Sequence, residues 1–519
     1  MPNQLFFLLL TFGIFIPLIL SFVVWKMTNA EQARRWTAGT LALSFVTLLF
    51  ANLAVMRTPE ARFTENLWQW FVIDALNAIP LSLFTALVLG VAVLAPKRKL
   101  TPHWLAGLLW LSATTNVAYA ANNLVIFALG WAGSLAPFLL TRAFARPAFV
   151  IETTVEPNGH STLEKRVLPL FAQIALVTSL VSLCIGIAVL IYAAPQASWY
   201  EALSLTLVRT GDTQLLFTAF AFLMGAVILR KGIFPAHSWV VTSFEQGSLL
   251  PMTLLVNEHL GVFLVARIVL PLLPDVAHNA WPLCSNLGLF TAAYAALLAL
   301  VTRNPRRLFA LVAISQSAFL LVGLESNTPI GIAGSLVLWQ VVAVSTTMLA
   351  AVYAGLEARL GTTLKNDGFL GLAISAPRLA VFFAVGGLAL VGLPLTLGFP
   401  AEDLLLQGTL ATNPYLGIVL PVVTALNAFS VVRLFARLFL GRPIAAAHDL
   451  ADALPRERWI LTAALLFLLL GGLFPAPLIR LPALAAERIV NAVSGQSRHN
   501  YLNKLRAITI NALLVTNRG

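Results

Sequence analysis

The sequence predicts an all-α polytopic membrane protein of about 14 transmembrane helices, with inverted five-helix repeats and two broken helices. Three observations carry this. Apolar residues make up 59% of the 519 residues and charged residues 10%, whereas a soluble domain is about a quarter charged. The apolar residues fall into runs of about 20, the length that crosses a hydrocarbon core as a helix. Two of these runs, in corresponding halves, are interrupted by glycine, proline and charge, as in inverted-repeat transporters. A membrane β-barrel would alternate apolar and polar residues over short strands, and the sequence does not.

The runs follow in order. Leu5–Trp25 lacks the basic leader and cleavage site of a signal peptide and is expected to remain as the first span. A loop with Lys26, Arg34 and Arg35 separates it from Trp36–Met56. Phe71–Ala95 begins near Asp74 and ends on Lys97, Arg98 and Lys99; Trp104–Ala120 and Asn123–Thr141 follow. After the mixed-charge loop Arg142–Arg166 come Val167–Ala194 and Gln214–Arg230. There Arg230, Lys231 and Gly232 interrupt the apolar run and Pro235 cannot donate to the helix ladder, so backbone groups are freed that only protein or water can satisfy. Gly247–Leu273 holds Glu258 and His259 in mid-run; being adjacent, they do not share a helix face. Trp281–Val301 and Leu308–Leu324 flank Arg303, Arg306 and Arg307, and Ile330–Leu356 has Gln340 and hydroxyls in its middle. Pro377–Gly398 breaks near Pro394, Gly398 and Pro400, with Glu402 and Asp403 just beyond. Leu416–Leu440 and Trp459–Ile479 complete the set.

This divides the chain into a three-span segment (1–103), two five-helix repeats (104–273 and 281–440), a cytoplasmic loop with the last span (441–480), and a basic amphipathic tail (481–519). In the tail, Leu502, Leu505 and Ile508 interleave with Lys504 and Arg506, which suits a surface-lying helix. The basic loops Lys26–Arg35, Lys97–Lys99 and Arg303–Arg307 alternate with loops of little net charge, which places the N-terminus outside, periplasmic if the membrane is an inner one. The long loops Arg142–Arg166, Glu357–Ala376 and Gly441–Arg458 then share the cytoplasmic face, where a partner is expected. The net charge of +12 is spread over many loops. That fits membrane lipid and excludes a nucleic-acid surface. Cys184 and Cys284 lie in apolar spans without zinc or disulfide spacing and are expected to be small buried hydrophobes.

Several segments together resemble the proton-conducting membrane transporter family. Its members include antiporter-like subunits of respiratory complex I, Mrp sodium/proton antiporters and the membrane subunit of DAB inorganic-carbon accumulation complexes. Thr302 to Phe319, with three arginines opening a helix that carries Ser315 and Gln316, resembles the family's second-repeat signature. Phe71–Asn77, with Asp74, resembles its third span, and Asn122–Gly133 its fifth. Arg230 through His237 and Trp239 resembles its broken seventh span, and Gly386–Asp403 its broken twelfth. The departures are specific. Ala132 follows Trp131 where the family has a glutamate, Arg230 occupies the position of a lysine, and the eighth- and eleventh-span histidines are missing from their usual places.

The resemblance implies ion translocation, of protons before sodium, by a subunit of a larger complex. Ionisable groups cost about 2.5–3.5 kcal/mol each at a helix centre, so their default meaning is function or pairing. The candidates are Glu402, Asp403, Glu258, His259, Lys231, Arg230, His237 and Asp74. For Arg230, Lys231 and Arg267 the alternative is snorkelling to headgroups. Among the family's branches the resemblance favours the inorganic-carbon (CO2/bicarbonate) accumulation subunit, working with a large cytoplasmic zinc-binding, carbonic-anhydrase-like partner. No cofactor or catalytic site is then expected on this chain, and zinc is expected on the partner. The alternative is a proton- or sodium-pumping subunit of a respiratory dehydrogenase, membrane hydrogenase or Mrp complex. A third reading is a membrane anchor that conducts nothing.

Overall fold

The computed structural model describes residues 2–58, 62–64, 70–97, 100–140, 154–155, 161–162, 170–193, 212–361, 364, 368–410, 412–444 and 450–494. The predicted helical class forms. α1 (Pro2–Trp25) packs on α2 (Ala30–Arg57), whose first turn is capped by the Asn29 side chain. A two-residue pairing of β1 (Phe63–Thr64) with β2 (Val72–Ile73) leads into α3 (Ala78–Leu94). α4 (Pro102–Ala120) and α5 (Leu124–Leu139) start on the caps Thr101 and Asn123, which satisfy orphan N–H groups. A short β3–β4 pair (Thr154–Val155 with Ser161–Thr162) precedes α6 (Leu170–Tyr192).

The two predicted breaks are present. α7 (Thr213–Lys231) stops at Gly232, whose φ of 66° only glycine adopts without strain, and α8 (Ser238–Gln246) resumes beyond Pro235. After α9–α14, α15 (Pro377–Leu390) and α16 (Gly398–Thr409) flank Pro394, with Gly392 at φ 66°. Pro400 does not break the chain; it sits in the first turn of α16, where its missing N–H has no helical partner to lose.

A third break was not foreseen. Gly247–Leu273 is not one helix but α9 (Leu249–Asn257), α10 (Leu260–Leu264), a π-helical turn over Val265–Val269, and α11 (Leu270–Leu272). Glu258 and His259 fall at the first interruption, with His259 at φ 46°. α12 (Pro274–Val301), α13 (Pro305–Glu325) and α14 (Pro329–Leu360) each begin on a proline. α17 (Leu416–Phe439), α18 (Pro455–Leu473) and α19 (Ala476–Ser494) complete the described residues; α19 bends 75° from α18, so the predicted run Trp459–Ile479 is divided and Ile479 falls in α19. The residues of α19 that turn inward are Leu481, Ala485, Ala486, Ile489 and Val493. Most of the Arg142–Arg166 loop, residues 445–449 and the tail beyond Ser494 lie outside the described residues.

Among the described residues nine helices are long and apolar enough to cross a membrane, or ten if α18 and α19 form one span; α3, α5 and α15 are shorter apolar helices. The outer helices present Phe12, Phe50, Phe171, Phe217 and Val422 outward, as lipid-facing surfaces do. Cys184 lies on that outer surface and Cys284 is half-buried, so the expectation of two fully buried cysteines is corrected.

α13, α14 and the α9–α11 span are buried along almost their whole length. α14 is the axis of the bundle and touches α3, α9, α13, α15 and α16. Lipid tails are as apolar as leucine, so close backbone approach rather than a hydrophobic drive holds such helices. A Cβ at Gly334 of α14 would lie 2.8 Å from Cα of Leu405 on α16, so only glycine allows that contact. At one end of the bundle, Arg306 binds both Glu357 oxygens (3.0 and 2.7 Å) and the Gly247 carbonyl (2.7 Å), and Arg359 pairs with Glu457 at 2.5 Å.

Candidate ion-translocation site

The site begins where α7 ends. Gly232 stops the helix one residue after Lys231, so Arg230 and Lys231 occupy its last turn, where the helix dipole favours cations. The carbonyl of Leu229 accepts from the Trp239 indole at 2.7 Å. Consecutive helical residues point in different directions, and the break in the facing span answers that divergence: Glu258 turns to Arg230, and His259 to Lys231.

Arg230 and Glu258 are 2% and 1% exposed and form a direct ion pair. The guanidinium also donates to Ser134 Oγ at 2.6 Å and lies 4.5 Å from the centre of the Trp131 ring. Thr115 Oγ1 donates to Glu258 Oε2 at 3.1 Å, and the Tyr119 hydroxyl donates to the Glu258 carbonyl. Lys231 Nζ donates to the Val256 carbonyl at 3.0 Å and stands 2.6 Å from His259 Nδ1. Both cations therefore point into the bundle, and the snorkelling alternative does not hold for them.

Polar groups continue across the centre. Asn257 Nδ2 donates to Thr346 Oγ1 and Thr347 Oγ1 of α14 at 2.7 and 2.9 Å. The Ser345 hydroxyl, beside Thr346 in sequence, and both polar side-chain atoms of Gln316 on α13 are buried without a hydrogen-bond partner among the described residues. Asn427 of α17 donates to Ser315 Oγ at 2.8 Å. One turn away on the same face of α17, Thr424 Oγ1 is 3.4 Å from Glu402. Glu402 lies against the Gly392 bend: a Cβ there would sit 2.8 Å from its carboxyl carbon, so the second break makes room for the carboxylate.

The other candidates fall elsewhere. Asp403 is on the exposed face of α16, bonded to Gln407 at 2.8 Å, and does not join Glu402. His237 is half-buried between the rings of Phe234 and Tyr294 at the first break, apart from the Lys231 pair. Asp74 binds Arg267 through both oxygens (2.6 and 3.2 Å), with Arg62 at 3.6 Å, and accepts the Leu76 N–H at 3.1 Å. This ties the start of α3 to the π-helical turn and also excludes snorkelling for Arg267. The sequence reading missed Thr115, Tyr119, Ser134, Asn257, Thr346, Asn427 and Thr424. Their signal was polar residues inside apolar runs, which single-residue inspection assigns to ordinary helix packing.

The chain is similar to known proteins over most of its length. The family described as NADH:quinone oxidoreductase/Mrp antiporter, TM matches residues 169–427. NADH-quinone oxidoreductase subunit 13 of Thermus thermophilus is 31% identical over 252 residues, 48% of this chain and 53% of that relative, so the match spans about half of its length. NAD(P)H-quinone oxidoreductase chain 4 2 of Thermosynechococcus vestitus is 26% identical over 501 residues, 89% of this chain and 87% of the relative. Among solved structures, a chain of the Mrp complex from Dietzia sp. DQ12-45-1b has a TM-score of 0.76 at 19% identity, covering 94% of this chain and 99% of that one. A chain of respiratory complex I from Thermus thermophilus with bound NADH has a TM-score of 0.75 at 22% identity, covering 93% and 99%. These relatives correspond to the alternative set out above rather than to the carbon-accumulation branch.

Proposed function

Because the chain belongs to the proton-conducting, antiporter-like membrane subunits of the NADH:quinone oxidoreductase/Mrp family, we propose that it carries protons between the Lys231–His259 pair and Glu402. The observation that supports this most is the set of polar groups on the helices between those ends: the buried Asn257–Thr346 and Ser315–Asn427 contacts, the buried Gln316 beside Ser315 in sequence, and the half-buried Thr424 against Glu402. Arginine does not give up its proton at working pH, so Arg230 is a fixed charge held by Glu258, and the lysine, the histidine and the second carboxyl are the groups that exchange protons. Glu258 then supplies the carboxylate that Ala132 cannot.

The chain works as one subunit of a multi-subunit membrane complex, and for that complex the relatives support a respiratory or Mrp type. The membrane is then an inner membrane, with the N-terminus on the periplasmic side. The departures at Ala132 and Gln340 favour a second reading, coupling to inorganic-carbon accumulation with a zinc-bearing cytoplasmic partner. Co-purification separates the two: quinone-reductase or antiporter subunits support the first, and a single large zinc protein supports the second.

Moving one charge through the membrane potential is worth about 2.3 kcal/mol per 100 mV. Loss of the route therefore removes gradient coupling and leaves assembly intact. Glu402→Gln keeps the shape and removes the exchangeable carboxyl; gradient-driven proton flux in membrane vesicles is expected to vanish while the complex still assembles. A Glu402→Gln complex with full, uncoupler-sensitive flux would refute the route.

A further inference from the structure

A small cavity lies between the first turns of α3 and the N-terminal third of α14, with Pro482 of α19 as one wall. Its volume of about 20 Å³ suffices for a water molecule. Most of the lining is apolar, including Ala75 and Leu83, but Gln340 is part of it. Gln340 is 2% exposed, its Nε2 makes only a 3.5 Å contact with the Leu336 carbonyl, and its Oε1 has no hydrogen-bond partner among the described residues. A buried carbonyl oxygen of this kind is a binding site for water.

The neighbouring residue, Trp339, lines the same cavity and meets the ring of His259 edge-on, with centroids 5.6 Å apart. His259 Nε2 likewise has no partner among the described residues, whereas Nδ1 is the atom facing Lys231. Two orphaned polar atoms thus belong to residues beside one indole, its chain neighbour Gln340 and its ring partner His259, and the first lines a water-sized space.

We propose that the α3–α14 cavity is an aqueous entrance, in which water held by Gln340 exchanges protons with His259 Nε2 past the edge of Trp339. The step balances without a further reactant. The Lys231 ammonium loses one N–H bond and Nδ1 gains it; the Nε2–H bond breaks and the water takes that proton as hydronium. Lys231 is left as the neutral amine, the imidazole as its other tautomer, and the reverse sequence loads the pair. α19 is the lid of the entrance, so the helix beyond the last span has a part in transport. This deepens the function proposed above and rests on the Lys231–His259 pair being one end of the route.

The test uses the full chain in its complex, in membrane vesicles of both orientations, with Cys184→Ser and Cys284→Ser as background. Silver ion, small enough to follow water, is the probe. Gln340→Cys is expected to react with silver added from the face where α3 begins, and Ala75→Cys on the opposite wall gives the same reading if Gln340→Cys fails to assemble. Pro482→Trp, which fills the cavity, should abolish the silver reaction. It should also slow proton flux about 100-fold, the lower end of what a positioned proton-transfer group contributes. If both cysteine variants resist silver while Glu487→Cys on the exposed side of α19 reacts, there is no aqueous entrance. If they react but Pro482→Trp keeps normal flux, the cavity is wet and off the route, which also overturns the proposal. Glu402→Gln separates the two readings: it should stop flux and leave the silver reaction unchanged. A wild-type chain without any flux would sink the transport reading, and silver would still decide on the water.

Discussion

Glu258→Gln is the sharpest perturbation of the buried cluster. The substitution leaves Arg230, 2% exposed, without the one anion it pairs with among the described residues. Removing one partner of a buried pair costs about 3–5 kcal/mol, because the remaining charge stays desolvated. Two contacts survive: the 2.6 Å bond to Ser134 and the Trp131 ring at 4.5 Å. A desolvated cation–π contact is worth about 2 kcal/mol, so these soften the loss without cancelling it. A destabilisation of about 3 kcal/mol is therefore expected. Arg230→Met alone should cost a similar amount, since it strands the carboxylate, and the double variant should recover most of one single-variant loss. The assay is a double-mutant cycle on the unfolding of the purified full-length chain, followed by tryptophan emission, with Trp131 under the guanidinium as the local reporter. A coupling energy of about 2–3 kcal/mol is expected. Losses that add to within about 0.5 kcal/mol would show that the two charges are independent, and the fixed-pair reading would fail.

Three further outcomes are expected. His259→Gly should be more stable than His259→Ala by about 1 kcal/mol, because φ is 46° there, and both should lose proton flux equally; equal melting temperatures would deny the strained backbone. Gly232→Ala should destabilise by about 1–2 kcal/mol, since φ is 66° and a new Cβ would lie 2.6 Å from Val240 Cγ2; an unchanged melt would show that the end of α7 can relax. Asp74→Asn should cost about 3 kcal/mol by stranding Arg267, and Arg267→Met in the same chain should restore part of it; no rescue would mean the pair does not link α3 to the π-helical turn.

Much of the fold was legible because lipid enforces it: backbone groups must be satisfied within each span, so apolar runs become helices. The breaks at Pro235 and Pro394 carried their own signals in proline, glycine and charge. The break at Glu258–His259 carried no proline. Its only sign was an ionisable pair that one helix face cannot present to two partners, and recognising this required knowing that Arg230 and Lys231 stand opposite. Glu402 was legible from its place after the second break; Asp403 looked equivalent in sequence and differs only because α16 turns it outward. The pairing of Glu258 with Arg230 was hidden for a related reason, since its two members lie on different spans.

The length of α14 acts as a depth gauge. Its 32 residues at 1.5 Å each reach about 48 Å, well beyond a hydrocarbon thickness of about 30 Å. Charged pairs side by side, Arg306 with Glu357 and Arg359 with Glu457, mark one boundary of that layer. Gln340 lies 17 positions before Glu357, or about 26 Å along the axis. It therefore stands within about one helical turn of the opposite boundary. From bulk solvent to the amide is a distance that one or two water molecules bridge, and because α16 meets α14 through Gly408 at Gly331 and Leu405 at Gly334, Glu402 lies at nearly the same depth, so the groups between His259 and Glu402 run across the bundle and not along its thickness.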